Sequence, residues 1–183
     1  MKRWVLSGIL IIIADYATKL YVKQTFLLNS SLRVIGDFFR ITYVQNEGIA
    51  FGMFQERGGW FLFLTPAAIL ILSAIYYKSP VKSFLTKLAF TLIISGAIGN
   101  YIDRIIYGFV VDFFDFDFFD IIIKPFTISG INFSGYYMTR WPAFNIADSA
   151  ISTGVTILFL ESLFLSFKKK EVKNQEPIPK GED

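Results

Sequence analysis

The chain has 183 residues, 54% of them hydrophobic and 18% aromatic, with a formal charge of +3, a pI near 9.0 and a mean hydropathy of +0.50. That is too apolar for a soluble domain of this length, and it points to one compact domain in a bilayer. With no Cys and no His, the chain lacks disulfides, thiol nucleophiles, thiolate metal sites, Ser-His pairs and His-based zinc sites; Asp, Glu, Lys and Tyr remain for acid-base work.

Four segments, near 4–22, 60–77, 84–107 and 146–167, are long and apolar enough to cross about 30 Å of hydrocarbon as helices. The positive charge lies in short stretches flanking these runs, as topology determinants do, so nucleic acid is not an expected partner. Lys2 and Arg3 precede the first run, and Asp15-Tyr16-Ala17-Thr18-Lys19 stands where a signal peptide would need a cleavage site, so an uncleaved helix is expected. Asp15 and Lys19, spaced i and i+4, can pair on one face. The pair serves either to anchor the helix end or as part of a site, since ionisable residues within spans are costly.

Between 23 and 59, Leu32 to Val44 reads as strands about a turn at Gly36-Asp37, a small sheet outside the membrane because open strands cannot face lipid. It leads into Gln45-Asn46-Glu47-Gly48-Ile49-Ala50-Phe51-Gly52, where Gly48 and Gly52 permit a tight turn and Asn46 brings an amide that both donates and accepts. The local pattern leaves a plain turn and a functional loop both open. The second helix, Trp60 to Tyr77 with Pro66 inside it, carries no acid or base and is assigned to packing. A basic connector, Lys78 to Lys87, follows and is expected to be cytoplasmic.

The third helix contains Ser95-Gly96-Ala97-Ile98-Gly99-Asn100-Tyr101-Ile102-Asp103-Arg104. Its small residues let another helix approach, and Asn100, Asp103 and Arg104 share a face, either as a capping salt bridge or as part of a site. From 108 to 145 an outer loop is expected. Its aromatic and acidic run, Phe109 to Asp120, forms an interfacial flap with rings at headgroup level and carboxylates in water. Asp112 stands apart from the later acids by lying nearest the third helix, after two β-branched residues. The chain re-enters the bilayer at Phe144-Asn145-Ile146-Ala147-Asp148, where Asn145 and Asp148 are i, i+3 and Asn145 can cap the fourth helix. Residues 168–183 read as a disordered cytoplasmic tail.

Ten Lys or Arg residues fall in the three proposed cytoplasmic segments, against six in the two outer ones, so both termini are expected inside. That topology gathers Asp15, Asn46, Asn100, Arg104, Asp112, Asn145 and Asp148 at or near the outer face. Two carboxylates at close range share a proton, which lets one activate water while the other donates to an oxyanion. Spacing alone does not bring Asp112 to Asp148. A proton-coupled carrier using intramembrane carboxylates and a Ser-Lys peptidase built on Ser95 and Lys19 are the alternatives.

Five motifs in order, Asp15-x-x-Thr18-Lys19, Asn46-x-Gly48-x-Ala50-Phe51, Gly96-Ala97-x-Gly99-Asn100-x-x-Asp103-Arg104, Val110-Val111-Asp112-Phe113 and Phe144-Asn145-x-Ala147-Asp148, span nearly the whole chain. With the helix layout they resemble the bacterial lipoprotein signal peptidases, the type II signal peptidases. The resemblance implies an aspartic endopeptidase of the bacterial cytoplasmic membrane that cuts diacylglyceryl-modified prolipoproteins just before the lipidated Cys. Asp112 and Asp148 match the catalytic pair of that family. Asn46, Gly48, Asn100, Arg104 and Asn145 match its substrate- and dyad-positioning residues, and Asp15 and Lys19 a supporting motif. The implied partners are prolipoprotein, membrane lipid and the cyclic peptide inhibitor globomycin. No metal or cofactor is expected, and a monomer suffices. Tyr16, Ser95 and Ile49 depart from the usual family residues, and the interval from Asp112 to Asn145 is longer than usual.

Overall fold

A computed structural model describes residues 2–48, 61–78, 83–128 and 130–175. In chain order these form α1 (Lys2–Thr25), β1 (Ser31–Ile35), β2 (Phe39–Asn46), α2 (Phe61–Lys78), α3 (Phe84–Tyr107), β3 (Val110–Phe116), β4 (Ile121–Ile123), β5 (Phe126–Ile128), β6 (Ile131–Phe133), β7 (Tyr136–Met138) and α4 (Ile146–Gln175). The predicted Trp60 start of the second helix, Ile49 to Gly52 of the second motif, and residues 176–183 of the predicted tail lie outside the described residues.

The helices are laid out by contacts at both ends. Trp4 meets Phe84 with ring centroids 5.2 Å apart, and Lys19 bonds Asn100 at 2.9 Å, so α1 and α3 run parallel. Tyr101 donates to the Leu62 carbonyl at 3.2 Å and Tyr76 packs on Phe90 at 5.2 Å, so α2 runs antiparallel to α3. Helix α4 is antiparallel to α3 as well: Asp148 meets Asn100 at one end, and the Glu161 carboxylate accepts from Ser83 and Thr86 at the other. Ser83 also caps α3, accepting the Thr86 N–H at 2.9 Å.

Among the described residues, three helices, Lys2–Thr25, Phe84–Tyr107 and Ile146–Lys168, are long and apolar enough to cross a membrane. Over its described residues α2 is a shorter apolar helix. Helix α4 extends to Gln175, past the predicted end near 167, because its Lys-rich continuation is made of good helix formers.

The sheet departs from expectation in one respect. It is not confined to the segment between α1 and α2: its order is β1-β2-β3, and β3 comes from the segment expected to be a loop between α3 and α4. The cause is the run Val110-Val111-Asp112-Phe113-Phe114-Asp115-Phe116, whose β-branched and aromatic residues suit a pleated surface buried on both faces. Val111 and Phe113 pack with Val22 of α1 and Tyr43 of β2 in a buried cluster that seats the sheet on the end of α1. Gly108, with φ +80°, closes α3 and turns the chain directly into β3. The rest of the segment holds two two-stranded sheets, β4-β7 and, nested between its strands, β5-β6.

Candidate active site

Strand β3 aims one of the two carboxylates. Side chains alternate along a strand, so with Val111 and Phe113 committed to the core, Val110 and Asp112 point the other way, into a cavity of about 910 Å³. Asp112 is 1% exposed there. Its Oδ2 accepts from Asn46 Nδ2 at 2.9 Å, and its Oδ1 from Asn145 Nδ2 at 2.7 Å. The Asn46 Oδ1 in turn accepts the Gly48 N–H at 3.1 Å, which fixes the amide with its donor toward Asp112. Burial pushes the Asp112 carboxyl up to about 7; the charge of Asp148 adds to the rise, while Asn46, Asn145 and Lys19 oppose it.

The start of α4 aims the other carboxylate. The Asn145 Oδ1 accepts the Asp148 N–H at 2.9 Å, and Asp148 Oδ2 accepts the Asn145 N–H at 3.1 Å. This reciprocal pair is a capping box with Asn and Asp in its two places, so the residues that start the helix also lock the carboxylate at its first turn. Asp148 Oδ1 accepts from Asn100 Nδ2 at 2.7 Å. A backbone bridge brings the two motif segments together: Phe114 N donates to Phe144 O at 2.8 Å, and Phe144 N to Phe114 O at 3.1 Å. Asn145 lies just beyond that bridge and bonds to both acids.

Beneath the carboxylates lies a charged layer in which Lys19, Asp15 and Asp103 are each 1% exposed. Lys19 Nζ lies 2.7 Å from Asp15 Oδ2, 3.3 Å from Asp103 Oδ2 and 2.9 Å from Asn100 Oδ1. The last contact turns the Asn100 amide so that its Nδ2 faces Asp148. Asp15 Oδ1 accepts the Ala147 N–H of the first turn of α4 at 2.8 Å, and Asp103 Oδ2 accepts the Val111 N–H of β3 at 3.0 Å. Each acid therefore ties the bundle to one of the two segments that bear Asp148 and Asp112. Lone charges at such depth would be costly, but here each carboxylate has both an ion partner and a backbone donor.

Every candidate residue read from the sequence converges here. Asn46, Gly48, Asn100, Arg104, Asp112 and Asp148 line the cavity, Asn145 bridges the acids, and Asp15 and Lys19 support from below. Arg104 reaches the Gly48 carbonyl at 3.5 Å and its own Asn100 carbonyl at 3.3 Å. Asp103 was legible only as a member of a helix face; its bond to β3 needs the sheet. Arg140 carried no motif. It bonds Asp115 at 2.7 Å, Asp117 at 3.0 Å and the Asp37 carbonyl at 3.0 Å, which ties the return limb to the sheet, and its single signal was a cation following an acidic run. Ser95 and Lys19 are not brought together. Ser95 donates to the Thr91 carbonyl at 2.6 Å, about 7 Å along the helix from Asn100, and Lys19 is held between carboxylates.

A family model described as Signal peptidase (SPase) II matches residues 8–164. The chain belongs to the signal peptidase II family. It is 37% identical to a lipoprotein signal peptidase of Psychromonas ingrahamii, over 98% of this chain and 92% of that one. To one of Photorhabdus laumondii it is 36% identical, over 93% of each. A bacterial membrane enzyme solved by the in meso method at 2.3 Å superposes with a TM-score of 0.74 at 27% identity, covering 99% of this chain and 96% of the other. A second, at 1.9 Å, gives 0.71 at 29% identity over 89% and 94%. The signal peptidase II family is one of membrane aspartic peptidases, and this chain is such a hydrolase.

Proposed function

We propose that the chain removes signal peptides from diacylglyceryl-modified prolipoproteins, cutting just before the lipidated Cys, with Asp112 and Asp148 as the catalytic dyad at the outer face of the bacterial cytoplasmic membrane. The observation that carries this reading is the Asn145 side chain, which bonds Asp112 at 2.7 Å and the Asp148 backbone at 2.9 Å, both acids lining one cavity. The ionised carboxylate takes a proton from water, whose oxygen attacks the scissile carbonyl carbon. The protonated carboxyl donates to the carbonyl oxygen. Collapse of the tetrahedral intermediate breaks the C–N bond, and a proton passes to the departing Cys amine. Asn46, Asn100 and Asn145 hold the carboxylates, while Gly48 and Arg104 form the wall that positions substrate. Membrane lipid surrounds the site, a monomer suffices, and globomycin is expected to occupy the cavity.

The topology that accompanies this reading has four crossings with both termini cytoplasmic. Strands β2 and β3 pair at the end where α1 and α3 finish, whereas α3 begins at the far end beside Trp4. This supports a return between them, for which α2, antiparallel to α3, is the proposed crossing.

Cleavage of a lipidated prolipoprotein tests the proposal. Asp112→Asn and Asp148→Asn should each lower turnover by about 10²- to 10⁴-fold while the protein stays inserted, and Ser95→Ala should keep activity. Wild-type turnover by either Asn variant would exclude the dyad.

A further inference from the structure

Strands β4 to β7 form a single ribbon. Ile121–Met138, Ile122–Tyr137, Ile123–Tyr136, Phe126–Phe133, Thr127–Asn132 and Ile128–Ile131 all keep one register, interrupted at Lys124-Pro125 and Ser134-Gly135. At 3.3 Å per residue the ribbon reaches on the order of 25 Å from its base. Its outer half is two-faced. Phe126 and Phe133 stack at 4.8 Å on the face that also carries position 128, while Thr127 and Asn132 bond at 2.7 Å on the other. Among the described residues nothing covers the apolar face: Phe126 is 45% exposed, Phe133 44% and Ile128 58%.

We propose that this ribbon lies in the membrane interface with its Phe126, Phe133 and Ile128 face against lipid. A two-stranded ribbon without a third strand or helix is marginal in water, so this one needs an apolar medium along one face. Its attachment supplies one, because the segment leaves the end of α3 and returns to the start of α4, both helices of membrane-spanning length. Charge is distributed to match. From Ile121 to Met138 there is one cation, Lys124, and no acid, while Asp115 and Asp117 are held at the base by Arg140. A ribbon with a cation and no acid suits anionic phospholipid headgroups. At the base, Phe118 and Phe119 pack edge-on against Trp141, the residue type that collects at headgroup level. Trp141, Pro142 and Ala143, which follow the ribbon in the chain, line the cavity.

The chain has no Cys, so single cysteines carrying an environment-sensitive fluorophore report without interference. Ile128→Cys and Phe133→Cys mark the apolar face, and Thr127→Cys and Asn132→Cys the other. The full-length protein is reconstituted in phosphatidylethanolamine and phosphatidylglycerol vesicles, with thermal melting of each labelled variant as the control for folding. Nitroxide lipids labelled near the headgroup should quench positions 128 and 133 at least about twofold more than 127 and 132, and aqueous iodide should show the reverse order. Equal quenching of both faces overturns the proposal. So does shielding of 128 and 133 from both quenchers, which would show a protein partner on that face.

Discussion

The amide of Asn145 starts helix α4, bonds Asp112 at 2.7 Å and closes a reciprocal cap with Asp148, so one side chain helps to orient both acids. Their charges depend on each other too. With Asp112 pushed up to about 7 by burial and by the charge of Asp148, Asp112 keeps its proton to near neutral pH. Cleavage at kcat/KM should therefore fall about tenfold per pH unit above about 7, once Asp112 has lost its proton. Stability follows from the same shift. Between the ordinary value of 3.8 and about 7, the folded state holds a proton that the unfolded chain has released, so stability declines as pH rises through that window. The thermal midpoint of the wild type in detergent should drop across it, and Asp112→Asn should flatten the decline.

Elements meet here through residues too small to matter on their own. A Cβ on Gly96 would strike the Ala147 carbonyl and Ile151 of α4, and one on Gly99 would stand 2.7 Å from Asp15 Oδ2 and 3.3 Å from the Ala147 Cβ. Asp15 cannot give way, because Lys19 and the Ala147 N–H hold its two oxygens. Gly to Ala inside a helix ordinarily adds about 1 kcal/mol of stability. At Gly99 the sign should reverse, with Gly99→Ala costing about 1–3 kcal/mol through overpacking, read as a lowered melting point together with reduced cleavage. An unchanged or raised melting point would mean that α3, α4 and Asp15 are not in such close contact. The small residues of this helix are visible in the sequence as an approach motif. That their neighbour is a buried carboxylate from another helix is not.

Across the whole molecule, the parity of crossings ties topology to the site. Three crossings would leave the termini on opposite faces; the proposed fourth crossing, along α2, would bring them to one. Reporter fusions after Asn46 and after Lys78 should give opposite signals, active phosphatase at the first and fluorescent protein at the second, with a fusion at the C-terminus fluorescent like the second. Matching signals at the two internal points would remove the fourth crossing. Composition and periodicity determined much by themselves: a membrane chain, helix α3 from 84 to 107, α4 beginning at 146, and a turn at Gly36-Asp37 before a strand. They could do so because burial in lipid demands long apolar runs; the absence of His and Cys left Asp, Glu, Lys and Tyr for acid-base work. The convergence of the polar residues was legible only as a shared end of the bundle. Only the tertiary structure decided that Asp112 rides on a strand rather than a flap, because β3 finds its partner in β2 and its core in Val22 and Tyr43, all far away in the chain. It also decided that Lys19 turns the Asn100 amide toward Asp148. A hydrogen-bond direction depends on three elements meeting within about 3 Å, which no periodicity in one of them can encode.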